Sequence, residues 1–188
     1  MSLFEYLTIS FSLVLSFAVI RIIAALPAIL DKARRDWVHT AWTAFTLLAP
    51  SWMWWNMWAY HTVSWNYFSF LSILTGPSLF LVQVTALVPT RVSSVSSWRA
   101  HFEAQARLFF AAGAAWWLLA IGNSWLLLGV PLTNPTRIVY FSVFGGFLYA
   151  ALRPSRRLHT ALAIIVCASV FPIMAAFFLN PDRLVTPP

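Results

Sequence analysis

The sequence predicts an all-α fold, a single integral membrane domain over 1–188 built from six transmembrane helices. Three observations carry this expectation. First, 61% of the residues are hydrophobic and only 9% are charged, whereas a soluble domain carries about 25% charged residues. A water-soluble fold of this size would have too little polar surface to cover itself. Second, six apolar runs approach the ~20 residues that a helix needs to cross hydrocarbon. Third, the basic residues alternate from loop to loop, as they do where positive charge sets topology.

The first run, 4–29, is too long for the core of a signal peptide and has no basic segment before it, so it reads as a membrane helix. The others fall at 38–60, 66–89, 104–130, 136–153 and 159–180. The fifth is the shortest, and its Gly145 and Gly146 would let a neighbouring helix approach closely. Pro50, Pro77 and Pro172 lie inside the second, third and sixth runs. Proline kinks a helix by removing a backbone hydrogen bond. In a bundle such kinks serve packing, or expose carbonyls to a cavity.

Lys32, Arg34 and Arg35 lie in loop one, Arg91, Arg99 and Arg107 in or beside loop three, and Arg153, Arg156 and Arg157 in loop five. Loop two has no basic residue, loop four has Arg137, and the C-terminal tail has Arg183. Nine basic residues against two place loops one, three and five in the cytoplasm and both termini outside, in the periplasm of a bacterial inner membrane. The net charge of +7 is explained by this bias, so no nucleic-acid partner is expected. Loop three is the longest connection. Its Val92, Val95, Trp98 and Phe102 fall near one helical face, the pattern of a short helix lying at the membrane surface; otherwise it is a polar loop running into helix four.

Enzyme signatures are absent. There is no HExxH, GxSxG, P-loop or dinucleotide-binding glycine pattern. The single cysteine, Cys167, offers neither a disulfide nor a metal cage and reads as a small buried hydrophobe. Glu5, Asp31, Asp36, Glu103 and Asp182 all fall at helix ends or in loops, so no carboxylate sits at mid-depth. Cation-coupled carriers usually place acids there, which points to an anionic or neutral solute if there is one.

Arg21 is the one charge well inside a run, on the order of 12 Å from its cytoplasmic end at 1.5 Å per residue. It either lines a cavity, or snorkels and caps a neighbour's carbonyls. Asn56, Gln83 and Asn123 are buried amides that bond across helices or line the same cavity. Of the four histidines, His39, His101 and His159 each follow a basic residue at the start of helices two, four and six, a weak internal repeat. Three imidazoles at one level can hold zinc if the helices converge, although no metal or other cofactor is favoured.

The segment SWMWWNMWAYHTVSW carries five tryptophans. Trp58 and Trp65 fall where an outer aromatic belt is expected. Trp52 lies about 12 Å deeper, too deep for that belt. At 100° per residue Trp52, Asn56 and Tyr60 share a face that should turn into the bundle. Trp54, Trp55 and Trp58 share another that should meet lipid or a second protomer. Trp116 and Trp117, mid-span in helix four, are placed to pack against the first group.

The stretches SFAVIRIIAAL and RRDWVHTAWTAF, an N-terminal span with a buried basic residue followed by a basic loop entering an aromatic helix, resemble a loose group of short bacterial multi-pass membrane proteins of unassigned function. The resemblance covers most of the chain and implies no activity, ligand or site residue. Two function classes follow from the residues. One is a small channel or carrier with a cavity lined by Arg21, Trp52, Asn56, Gln83 and Asn123. The other is a non-catalytic subunit of a larger membrane assembly. Either way the partners are the lipid bilayer and further copies or subunits.

Overall fold

The computed structural model describes residues 2–178, with side chains described over 2–169. Six helices follow in order: α1 (Leu3–Ile29), α2 (Trp37–Met57), α3 (Tyr67–Leu87), α4 (Trp98–Leu126), α5 (Arg137–Leu152) and α6 (Arg156–Phe178). Short 3-10 turns lie at Trp58–Tyr60 and Val92–Ser94, and no strand occurs among the described residues. The end of the expected sixth run at 179–180, the side chain of Pro172, and Asp182 and Arg183 lie outside the described residues.

Local chemistry sets the boundaries. Ser2 and Glu5 form a capping box at the start of α1, each side chain bonding the other's backbone N–H. Asp36 accepts from the His39 N–H to begin α2, and Asn66 accepts from the Ser69 N–H to begin α3. Ser97 caps α4, which therefore begins at Trp98 and not at 104. Beyond Leu126 the chain turns through Gly129, whose φ of 68° suits glycine alone, so α4 does not reach 130.

Helix α1 buries one narrow stripe: Leu7, Phe11, Leu15, Ala18, Ile22, Ala25 and Ile29. Its steps of three or four residues are those of a helix packed along a single seam. The opposite face is just as apolar, with Ile9, Leu13, Phe17 and Ile20 each about 60% exposed. A water-facing helix would carry charge there, whereas lipid accepts these side chains without cost. Three segments are long and apolar enough to cross a membrane: Leu3–Ile29, Tyr67–Ser94 and Trp98–Leu126. Helix α2 has the length, 21 residues without a charged side chain, but its tryptophans and threonines lower its hydropathy. Helix α5 has only 16 residues.

Helix α4 is the centre of the bundle, packed mainly between α3 and α5, while α1 packs on α3 and α6 on α2. Of the glycines, Gly113 sits at the tightest crossing. A Cβ there would lie 2.8 Å from the Gln83 amide nitrogen and would overlap the Phe147 ring, so only glycine lets α3, α4 and α5 meet. This corrects the expectation for Gly145 and Gly146. Nothing lies within 4 Å of the Cβ position at Gly145, and Gly146 makes only ordinary contact with Leu162. In the middle of the bundle Trp42 is enclosed edge-on by Phe45, Phe109, Phe110 and Phe147, with ring centroids 5.1–5.9 Å apart. Such edge-to-face contacts are favoured by the ring quadrupoles.

Loop three also differs from its expected form. No in-plane helix forms over 92–102. After the 3-10 turn, Val95, Trp98 and Phe102 turn inward and are at most 7% exposed. The Trp98 backbone N–H donates to the Arg34 carbonyl and its indole N–H to the Ala28 carbonyl, 2.8 Å away. These bonds draw the segment under the bundle, where its apolar side chains close the core.

Candidate functional site

The two ends of the bundle are built differently. Connections 30–36, 88–97 and 153–155 gather at the basic end. A helix leaves its last carbonyls without intrahelical partners, and three distant residues bond them at the end of α3. His101 Nε2 lies 3.1 Å from the Ala86 carbonyl, His39 Nε2 3.0 Å from that of Leu87, and Arg21 Nε 2.9 Å from that of Val88. A carbonyl accepts, so both imidazoles carry their proton on Nε2. Cationic and N–H donor groups also suit the negative end of the helix dipole. Arg21 additionally donates to the Thr90 hydroxyl. Its place among the described residues is thus a cap on α3.

The three histidines of the weak repeat do reach this one end, His39 and His101 packed together and His159 apart from them. His39 stacks on Trp98 at 4.6 Å, and His101 meets both rings edge-on. His159 lies on the other side of Phe102, tilted against Phe110. Among the described residues neither nitrogen of His159 completes a hydrogen bond. No group of three or more His, Cys, Asp or Glu side chains is placed to hold a metal ion among the described residues. Asp36, the cap of α2, is also clamped by both terminal nitrogens of Arg156 from α6, one at 3.0 Å. Burial pushes the Asp36 carboxyl up, but the Arg156 guanidinium and the His39 N–H outweigh it and hold it below its ordinary 3.8.

Connections 58–66 and 127–136 form the far end. Just inside it lies a cavity of about 140 Å³. Trp52 and Asn56 reach it from α2, Trp116, Trp117 and Asn123 from α4, and Tyr140 from α5, with Tyr60 and Ser124 also on its wall. Trp52 sits 6.5 and 5.8 Å from the rings of Trp116 and Trp117, and Trp117 sits 5.5 Å from Tyr140. Helical periodicity produces this division of α2. Trp54, Trp55 and Trp58, on its other face, are 52%, 42% and 63% exposed. Trp58 stacks on His61 at the rim, and Trp65 is partly buried against the core. Three of the five residues singled out from sequence, Trp52, Asn56 and Asn123, therefore share one cavity. Gln83 does not reach it; it is buried against Gly113 nearer the basic end.

The polar groups of this cavity are unequally engaged. Asn56 donates one amide hydrogen to the Trp52 carbonyl. The Asn123 carbonyl oxygen accepts from the Ser72 hydroxyl, which leaves its NH₂ free. The hydroxyls of Tyr60 and Tyr140 make no hydrogen bond among the described residues. Among the described residues no acidic side chain lines the wall. The arrangement suits a small, flat, partly apolar molecule stacked among indoles and held by amide and phenol donors.

Sequence reading missed Arg137. It was counted as a loop charge, yet it opens α5 and is 2% exposed. Its Nη2 donates to the Val130 carbonyl at 2.7 Å and its Nη1 to the Ser124 hydroxyl at 2.5 Å. Its guanidinium carbon stands 5.8 Å from the centre of the Tyr140 ring. The spacing of Arg137 and Tyr140, three residues apart on a helix, was the available signal. No protein-family model matches the chain, and neither curated proteins nor solved structures yield a match.

Proposed function

We propose that this chain is a six-span membrane protein that takes a small neutral or anionic solute into the cavity at its far end, as the binding state of a carrier. The observation that carries the reading is the cavity itself: a space of about 140 Å³ walled by Trp52, Trp116, Trp117 and Tyr140 and served by Asn56 and Asn123. An engineered apolar cavity of about 150 Å³ accommodates benzene, so this one suits a molecule built on a single six-membered ring. The absence of acids on its wall argues against a cation. Below it, Trp42 with Phe109 and Phe110 closes the bundle, and the capped end of α3 closes the basic end. A carrier fits this better than an open channel, because passage then needs a second conformation that opens the other side.

Membrane placement follows from the apolar lipid-facing surface of α1, the apolar α3 and α4, and the basic end, which belongs in the cytoplasm. Helix α2 crosses with them at about 1.5 Å per residue, or roughly 31 Å. The protein is purified into zwitterionic nanodiscs and titrated with benzamide while tryptophan emission is followed. Saturable quenching that weakens in Gly76→Ala is expected. That methyl would enter the cavity wall in ordinary contact with the Trp116 indole nitrogen, 3.7 Å away. Emission unchanged by benzamide and by its anionic counterpart benzoate would remove the reading.

The accessory-subunit reading draws on α5. Its 16 residues span about 24 Å, short of a ~30 Å hydrocarbon layer. Its exposed Ile138, Val139 and Leu152 provide an apolar face, and packing against another chain is one way a short helix accommodates such mismatch. Cross-linking from α5 that captures a second polypeptide would favour it.

A further inference from the structure

We infer that Arg137 is the specificity-determining charge of this cavity and that the preferred ligand is a small planar monoanion, a ring-sized carboxylate. The inference rests on the cavity being a solute site. Arg137 is buried, and a guanidinium stays protonated in proteins. Among the described residues it has no carboxylate partner. Its bonds run to the carbonyls of Val130, Pro131 and Ile121 and to the Ser124 hydroxyl. These engage four of its five N–H hydrogens, two of them only at 3.4 and 3.5 Å, and leave a full positive charge on a buried group, where charge acts at longer range.

That charge stands directly behind the cavity wall. Ser124 and Tyr140 both line the cavity and both touch Arg137. The Ser124 hydroxyl donates its hydrogen to the α4 carbonyls of Ala120 and Ile121, so its lone pair faces Arg137. Among the described residues, the groups left free on the wall are three donors, the Asn123 NH₂ and the Tyr60 and Tyr140 hydroxyls, and one amide acceptor, the Asn56 side-chain oxygen. Donors in front and an uncompensated cation behind create a positive potential in an aromatic slot. An aromatic cage without that cation would attract an ammonium group instead. Here the rings provide the flat apolar walls, and the charge selects the sign.

Three probes of nearly one shape separate these effects: benzoate, benzamide and benzamidinium, anionic, neutral and cationic. Each is titrated by calorimetry and tryptophan emission into the protein in zwitterionic nanodiscs at physiological salt, which screens surface charge. Benzoate is expected to bind at least about tenfold more tightly than benzamidinium, with benzamide between them. Arg137→Gln, which keeps hydrogen donors for Ser124 and Val130, should bring benzoate and benzamidinium within about threefold of each other. Arg137→Lys should restore the order. If benzamide binds as well as benzoate, or Arg137→Gln leaves the ratio unchanged, the inference fails while the cavity reading stands. If none of the three binds, both fail. Should Arg137→Gln not fold, the wild-type order of the three probes and Arg137→Lys still decide the matter.

Discussion

The Nε of Arg21 lies 2.9 Å from the carbonyl oxygen of Val88, in a bond that spans 67 positions of sequence. It ties the inner half of α1 to the end of α3 and gives a buried-looking charge a structural task. Hydrogen bonds from charged groups contribute about 1.5–3 kcal/mol, and partial exposure of Arg21 favours the lower end of that range. Arg21→Ala is therefore expected to lower the unfolding temperature in detergent, with benzamide affinity unchanged. A large loss of affinity at unchanged stability would place Arg21 at the cavity after all.

Two buried tryptophans should respond differently to loss of the indole N–H. The Trp98 nitrogen donates to the Ala28 carbonyl, whereas the Trp42 nitrogen is buried without a partner. Both side chains are at most 1% exposed. Phenylalanine leaves a comparable void at each site, so the difference isolates the bond, about 1 kcal/mol. Trp98→Phe should be the more destabilising in thermal unfolding.

Gly113→Ala forces a methyl into the Phe147 ring and toward the Gln83 amide. Overpacking of this kind costs roughly 1–3 kcal/mol. Gly145→Ala meets open space and removes a flexible residue from a helix, a gain of about 0.5–1 kcal/mol. Differential thermal shifts of the two variants should have opposite signs.

Acid should loosen the joint between α2 and α6. The folded-state carboxyl of Asp36 titrates below its ordinary 3.8. An acid with a lowered value contributes stability above the unfolded value, and loses it as pH falls through the folded one. Asp36→Asn should thus reduce stability at neutral pH and flatten the decline measured below pH 3.8. An acid limb of unchanged slope would shift the effect to other carboxylates such as Asp31, also held low, by the Ala33 N–H first and by Arg34.

The amino-acid sequence by itself determined the helices and the faces they present. Apolar runs of helical length and a 100° step per residue are local properties, although the start of the fourth helix, set by the Ser97 cap, was read six residues late. They suffice to set Trp52, Asn56 and Tyr60 apart from Trp54, Trp55 and Trp58. The tertiary structure alone decided which polar groups meet. Arg21 and Arg137 are both arginines near apolar sequence, yet one caps α3 and the other stands behind the cavity, because one meets the Val88 carbonyl 67 positions away and the other folds back over the turn before α5 onto Val130 and Ser124. The same holds for glycine: Gly145 and Gly146 look suited to a close crossing, but the crossing falls at Gly113, where Gln83 and Phe147 arrive from two other helices. Periodicity is written within a helix. Burial of a charge, or contact across a bundle, depends on partners that only the packed fold brings within bonding distance.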